Sequence, residues 1–84
     1  MQPETTLDDA AIRGMVESLA TRLYESGGSI EEWTRLVRSR MVLGEVEAAQ
    51  QDYERARMAY PDAAMRTELD VLAADNGLVG KETQ

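Results

Sequence analysis

The sequence contains neither cysteine nor histidine in its 84 residues. Without cysteine, the chain can form no disulfide, no thiolate metal site and no redox motif, so cysteine usage does not indicate a compartment. Without histidine, catalysis by a nucleophile–histidine pair and ligation of zinc or haem by histidine are excluded within this chain. We therefore predict no catalytic residue, no metal site and no cofactor.

Aromatic residues are scarce, at 5% of the chain, and phenylalanine is absent. Leucine, valine, methionine and alanine must therefore fill most of one small core. No hydrophobic run approaches the length of a membrane-spanning helix, and the N-terminus lacks the basic-then-apolar order of a signal peptide. We expect a soluble chain that makes no membrane contact of its own, even if a longer protein that contains it is anchored.

Basic residues are also few, with 9 lysines and arginines against 16 acidic residues and a net charge of −7. Nucleic acids are excluded as partners, because their phosphates require a basic face. The acidity suits a basic protein or peptide partner, although it also serves solubility alone. The adjacent carboxylates Glu31 and Glu32 would point about 100° apart on a helix, so they cannot share a proton or a metal. We predict that the chain is not an enzyme.

Hydrophobic periodicity predicts an all-α fold. Apolar residues that include Ile12, Met15 and Tyr24 recur at the spacing of one helical face. Ser29 begins a capping-box pattern, and Asp62 is the N-cap candidate of the last helix. The predicted helices span about 8–25, 30–43, 46–60 and 63–75, in one domain over 7–79 with flexible tails at 1–6 and 80–84.

The stretch from Trp33 to Pro61 carries a repeat pattern. Counted from Trp33, the matching residues are Leu36, Gly44, Ala49, Tyr53, Ala56 and Pro61. Two antiparallel helices approach closely where small residues of one helix lie opposite bulky residues of the other. The pattern resembles the tetratricopeptide repeat. This resemblance implies a right-handed superhelix of antiparallel helix hairpins, here with half a repeat, one full repeat and half a repeat.

Two residues depart from that pattern. Val37 and Arg40 stand where the repeat has a small residue and an aromatic one, so we expect looser or altered packing against the preceding helix. Trp33 and Tyr53 could form a stacking platform, but their register favours the core. The apolar residues at the open C-terminal end are Val71, Leu78 and Val79. A partner could cover that end, or the chain could form a weak homodimer through it.

In tetratricopeptide proteins the first helix of each unit lines a concave groove that binds peptides. The resemblance implies a peptide-binding face of Glu31, Thr34, Arg38, Met41, Val42, Asp62, Met65, Glu68 and Leu72. Its mixture of apolar and acidic side chains suits a peptide with an apolar stripe and some positive charge. Arg38 could grip a peptide carboxylate, or it could pair with Glu31 or Glu45 or be solvated.

Two stretches take the resemblance further. They are Ile-Arg-Gly-Met-Val-Glu-Ser-Leu-Ala-Thr-Arg-Leu at 12–23 and Glu-Glu-Trp-Thr-Arg-Leu-Val-Arg-Ser-Arg-Met-Val-Leu-Gly-Glu at 31–45. They resemble the tetratricopeptide part of c-type cytochrome biogenesis proteins of the CcmI/CycH type. This implies a holding chaperone on the periplasmic side of the bacterial inner membrane, which captures the C-terminal helix of apocytochrome c for the haem-attachment machinery. The alternative is a generic tetratricopeptide adaptor or scaffold in another bacterial complex.

Overall fold

The computed structural model describes residues 9–78, which are all-helical and contain no strand. The elements are α1 (Asp9–Ser26), α2 (Ile30–Val42), α3 (Val46–Ala59), a 3₁₀ turn (Ala63–Arg66) and α4 (Thr67–Asp75). The prediction of four α-helices is therefore confirmed, with bounds within two residues for the first three. The predicted domain limits at 7 and 79 and the tails at 1–6 and 80–84 lie outside the described residues.

The helix ends follow from local chemistry. The Ser29 hydroxyl accepts a hydrogen bond from the backbone N–H of Glu32 at 3.2 Å. The Glu32 carboxylate accepts one from the backbone N–H of Ser29 at 3.1 Å, which completes the predicted capping box. Gly27 and Gly44 follow α1 and α2 with φ of 74° and 78°. This left-handed conformation is strained for residues that have a Cβ.

The last helix begins differently from the prediction. Asp62 caps the segment as expected, since its carboxylate accepts a hydrogen bond from the Ala64 N–H at 3.0 Å. The next four residues, however, form a 3₁₀ turn, and the α-helix begins only after it. The guanidinium of Arg66 donates to the carbonyls of Tyr60 and Pro61 at 2.7 and 2.9 Å. These bonds tie the turn back onto the end of α3, an interaction that helical periodicity does not encode.

The core is centred on the α2–α3 hairpin. Trp33 and Tyr53 are 3% and 4% exposed, and Ala49 and Ala56 are fully buried. Bulky side chains thus occupy the space that small residues leave between the helices. The predicted core position of the indole and phenol rings is confirmed. The rest of the buried apolar core consists of Val16, Ala20, Leu23, Leu36, Val37, Leu69, Ala73 and Leu78.

Three apolar residues lie elsewhere than predicted, and one of them is Tyr24 on the predicted apolar face of α1, which is 41% exposed. Met15, expected on the inner face of α1, is 61% exposed because no helix within residues 9–78 covers that side. Leu78, expected to be exposed, is buried, whereas Val71 is exposed as predicted. The chain reverses at Gly77, with φ of 79°, and the Leu78 N–H donates to the Ala73 carbonyl at 2.8 Å. This reversal returns Leu78 to the core; Val79 lies outside the described residues.

Candidate functional site

A cleft of about 150 Å³ lies between α2 and the C-terminal segment. Its lining residues are Ile30, Glu31, Thr34, Ala64, Met65, Thr67, Glu68 and Leu69. Four of the predicted peptide-binding residues, Glu31, Thr34, Met65 and Glu68, are therefore neighbours in space. We call this feature the α2–α4 cleft.

Thr34 is, with Leu69, a buried lining residue of the α2–α4 cleft. Its side chain belongs to a residue that is only 4% exposed, and its hydroxyl donates to the Ile30 carbonyl at 2.8 Å. A threonine within a helix commonly makes this bond to the preceding turn. The hydroxyl is therefore satisfied internally, and Thr34 shapes the cleft more than it offers a polar contact.

Met65, Glu31 and Glu68 give the cleft an exposed apolar and acidic rim. Met65 is 54% exposed, and both glutamates are exposed as well. An unbranched thioether adapts to irregular apolar surfaces. Together these side chains can contact an apolar stripe and nearby positive charges of a peptide.

Arg38 is paired with a residue that the sequence did not suggest. Its guanidinium lies 3.5 Å from the carboxylate of Glu68, and both side chains are more than half exposed. Pairing with Glu31 or Glu45 was one of the alternatives that the sequence left open; the observed partner is Glu68, and the Glu45 carboxylate contacts Arg40 and Arg13 at 2.8 and 3.1 Å. An exposed pair of this kind contributes only about 0–1 kcal/mol. A bound peptide can therefore displace it and use either charge.

The remaining predicted site residues do not line the α2–α4 cleft. Met41 and Leu72 are partly buried against the core. Val42 is 79% exposed at the end of α2. The carboxylate of Asp62 is engaged in capping. The structure thus gathers part of the predicted face and leaves these residues beside it.

The wall of the cleft formed by α4 is anchored through Asp70. The Tyr53 hydroxyl donates to the Asp70 carboxylate at 2.8 Å, and the Arg66 guanidinium donates to it at 3.2 Å. Burial, followed by the hydrogen bond to Asp70, raises the pKa of the Tyr53 phenol. The phenol is therefore neutral at physiological pH and remains a donor that ties α4 to α3.

Sequence reasoning missed an ion cluster around the buried side chains of Arg40 and Asp52, which also includes Glu17, Glu45 and Tyr24. The Arg40 guanidinium donates to Asp52, Glu17 and Glu45 at 2.9, 2.6 and 2.8 Å. The Tyr24 hydroxyl donates to the Asp52 carboxylate. The cluster joins α1, α2 and α3, and it brings Arg40, which stands where the repeat has an aromatic residue, into contact with Glu17 of the preceding helix. An arginine in place of the repeat's aromatic residue was the only sequence signal.

Electrostatics keep Arg40 charged despite its burial. Its side chain is 5% exposed. Burial acts to lower its pKa, but the hydrogen bonds to Glu17, Glu45 and Asp52 outweigh that effect and raise it above its ordinary value. The side chains of Glu17 and Glu45 remain partly exposed. The cluster is therefore a structural junction of the first three helices, with one side open to solvent.

Among residues 9–78, no group of three or more acidic side chains is placed to hold a metal ion. Over the same residues, no helix has both the length and the hydropathy required to cross a bilayer.

Comparison with known proteins gives a limited but specific result. No family model matches the chain, and no solved structure gives a significant match. Over 52 residues, the chain is 46% identical to the cytochrome c-type biogenesis protein CycH of Rhizobium meliloti (strain 1021). This alignment covers 62% of this chain and 14% of that protein. Part of this chain is similar to CycH.

A second relative supports the same similarity. Over 40 residues, the chain is 50% identical to the cytochrome c-type biogenesis protein CycH of Bradyrhizobium diazoefficiens. This alignment covers 48% of the chain and 11% of that protein. The chain thus matches only a small part of the length of either CycH relative. The similarity agrees with the resemblance that the sequence motifs indicated.

Proposed function

We propose that this chain is a tetratricopeptide-type peptide-binding module that acts in c-type cytochrome maturation. Its client would be the C-terminal helix of apocytochrome c, which it would hold for the haem-attachment machinery on the periplasmic side of the bacterial inner membrane. The similarity to CycH is the observation that carries the assignment to cytochrome biogenesis.

Packing of the α2–α3 hairpin supports the repeat part of the proposal. Trp33 and Tyr53 are buried beside the small residues Ala49 and Ala56, which occupy repeat positions. The next helix also packs on α2 rather than extending away from the hairpin. Both features are expected of helical units that stack into a superhelix.

Chemistry of the α2–α4 cleft supports a peptide as the ligand. An amphipathic helix binds a groove through an apolar stripe, with charged residues at its borders. Met65 offers the apolar contact, while Glu31 and Glu68 offer negative charge. The proposed role is binding rather than catalysis, so the module is expected to hold its client without changing it chemically.

Binding of C-terminal apocytochrome c peptides tests the proposal. We expect saturable binding by titration calorimetry, and weaker binding of a scrambled peptide with the same composition. Binding should weaken roughly two- to thirtyfold in the double variant Glu31→Lys/Glu68→Lys, since each exposed charge contributes about 0.2–1 kcal/mol. Glu25→Lys is the matched control, because Glu25 is exposed on α1 and does not line the cleft.

Equal binding of native and scrambled peptides would refute the client assignment. If a native peptide binds but the cleft variant and the Glu25→Lys control behave alike, the client is right and the cleft is wrong. Far-UV circular dichroism of each variant checks that the helical fold is retained.

A further inference from the structure

Two apolar faces of this domain are uncovered within residues 9–78. The α1 face is a groove of about 320 Å³ lined by Ile12, Met15, Val16, Leu19, Arg35 and Ser39. Met15 is its most prominent exposed residue, at 61%. The α4 face carries Val71, which is 56% exposed, and the exposed Ala74 one turn later. These faces belong to the first and last described helices, respectively.

The α1 face occupies repeat positions that are covered in α3. Met15 and Leu19 precede Ala49 and Tyr53 by one repeat length of about 34 residues. In the α2–α3 hairpin, Ala49 is fully buried and Tyr53 is 4% exposed, because α2 packs along α3. The side of α1 that carries Met15 is therefore the side on which a helix of the α2 kind belongs.

The α4 face has the complementary vacancy. Val71 follows Val37 by the same repeat length, and Val37 is fully buried in α2. Within residues 9–78, α4 is followed by no helix equivalent to α3. In repeat position, the uncovered face of α4 thus corresponds to the face of α2 that contacts α3, and the uncovered face of α1 corresponds to the face of α3 that contacts α2.

We propose that α4 of one copy packs on the α1 face of a second copy, so that the two helices reproduce the α2–α3 hairpin between molecules. This contact uses the repeat register of the proposed function but does not use the α2–α4 cleft. Peptide binding and self-association can therefore fail independently.

Charge distribution favours this head-to-tail arrangement over contact between like ends. Residues 9–42 contain five basic and five acidic side chains, whereas residues 43–78 contain three basic and eight acidic ones. Helix α4 contributes Glu68, Asp70 and Asp75 and no basic residue. Arg35 lines the α1 groove. The acidic C-terminal part of one copy, residues 43–78, thus contacts the N-terminal part of the next copy, residues 9–42, which has no net charge.

The register also changes which charges lie at the contact. One repeat length separates Asp52 from Ser18 and Arg40 from Ala74, so two small uncharged residues replace the buried ion pair of the α2–α3 hairpin. The same register places Arg22 and Asp70 at the positions of Ala56 and Leu36, which are fully buried in the hairpin. These two side chains carry opposite charges, and each is already paired within one copy, Arg22 with Glu32 and Asp70 with Arg66.

This geometry predicts an open, weak assembly. A head-to-tail contact leaves one free face on each end molecule, so it adds further copies instead of closing as a symmetric dimer. The contact uses a helix of only 9 residues. The surface area that so short a helix can bury is small relative to the roughly 1,200–2,000 Å² of a stable interface. Association is therefore expected only at high protein concentration.

Sedimentation velocity on the full chain, from about 10 µM to about 1 mM, tests the arrangement. We expect the weight-average mass of the unmodified chain to rise past that of a dimer. Met15→Glu blocks the α1 face and Val71→Glu blocks the α4 face, so each variant alone should stay monomeric. An equimolar mixture retains one intact face on each chain, and it should form a 1:1 complex and nothing larger.

Met58→Glu and Val46→Glu are the matched controls, because both residues are on α3 and are 78% and 50% exposed. They should associate like the unmodified chain. The proposal is overturned if the unmodified chain is monomeric throughout. Assembly that stops at a dimer, or a mixture that stays monomeric, would equally overturn it.

Discussion

Removal of the Asp52 carboxylate tests the ion cluster most directly. Asp52 is 1% exposed, and its carboxylate accepts hydrogen bonds from Arg40 and Tyr24. Asp52→Ala would leave the Arg40 guanidinium buried with only two of its three carboxylates. The substitution therefore removes a charge partner, a hydrogen-bond acceptor and packed volume at the junction of three helices.

The expected loss in the free energy of unfolding is about 2–4 kcal/mol. Deleting one partner of a fully buried ion pair costs about 3–5 kcal/mol, and the remaining bonds to Glu17 and Glu45 reduce that cost. The unpaired Tyr24 hydroxyl adds about 1 kcal/mol. A chain of this length has a total stability of about 4–12 kcal/mol. The melting temperature should therefore fall by at least about 8 °C.

Urea unfolding followed by circular dichroism and by the fluorescence of Trp33, the one tryptophan, measures this loss. Glu47→Ala is the control on the same helix, since Glu47 is exposed in the first turn of α3 and should cost at most about 1 kcal/mol. Adding Arg40→Met to Asp52→Ala should recover part of the loss, because no buried charge then lacks a partner. A loss below about 1 kcal/mol for Asp52→Ala alone would refute the reasoning.

Three further predictions concern stability. Ala49→Leu should destabilise by about 1–3 kcal/mol through overpacking, whereas Ala10→Leu at an exposed site should change little; equal melting temperatures would contradict the helix register. The hydrogen bond from the buried arginine holds the pKa of Glu45 below its usual value, so its stabilisation is present above about pH 4.3 and lost as pH falls further. Acid titration of Glu45→Gln should therefore show a flatter decline than the unmodified chain. Gly44→Ala should cost about 1 kcal/mol because φ is 78°, while Gly14→Ala, in mid-helix with open space around it, should stabilise by about 0.5–1 kcal/mol; thermal melts with the opposite order would refute this.

The candidate site could be predicted only in part. Repeat spacing predicted one face that includes Glu31, Met65 and Glu68, and the structure places these three residues in one cleft. It could not show that the hydroxyl of Thr34 is already satisfied. It also could not show that Arg38 reaches Glu68. These outcomes depend on the depth and offset of helix packing.

Local signals in the sequence are sufficient to predict the set of helices and the centre of the core. The capping box at Ser29 and the turn at Gly44 act over a few residues, and the spacing of Trp33 and Tyr53 fixes which sides of two helices are apolar. The partners of Arg40 could not be predicted in this way, because they come from three different helix or turn segments that tertiary packing brings together. The physical reason is the distance along the chain over which each kind of interaction acts. Helix signals depend on neighbours within one or two turns, whereas an ion pair depends on how far helices distant in sequence are shifted along one another.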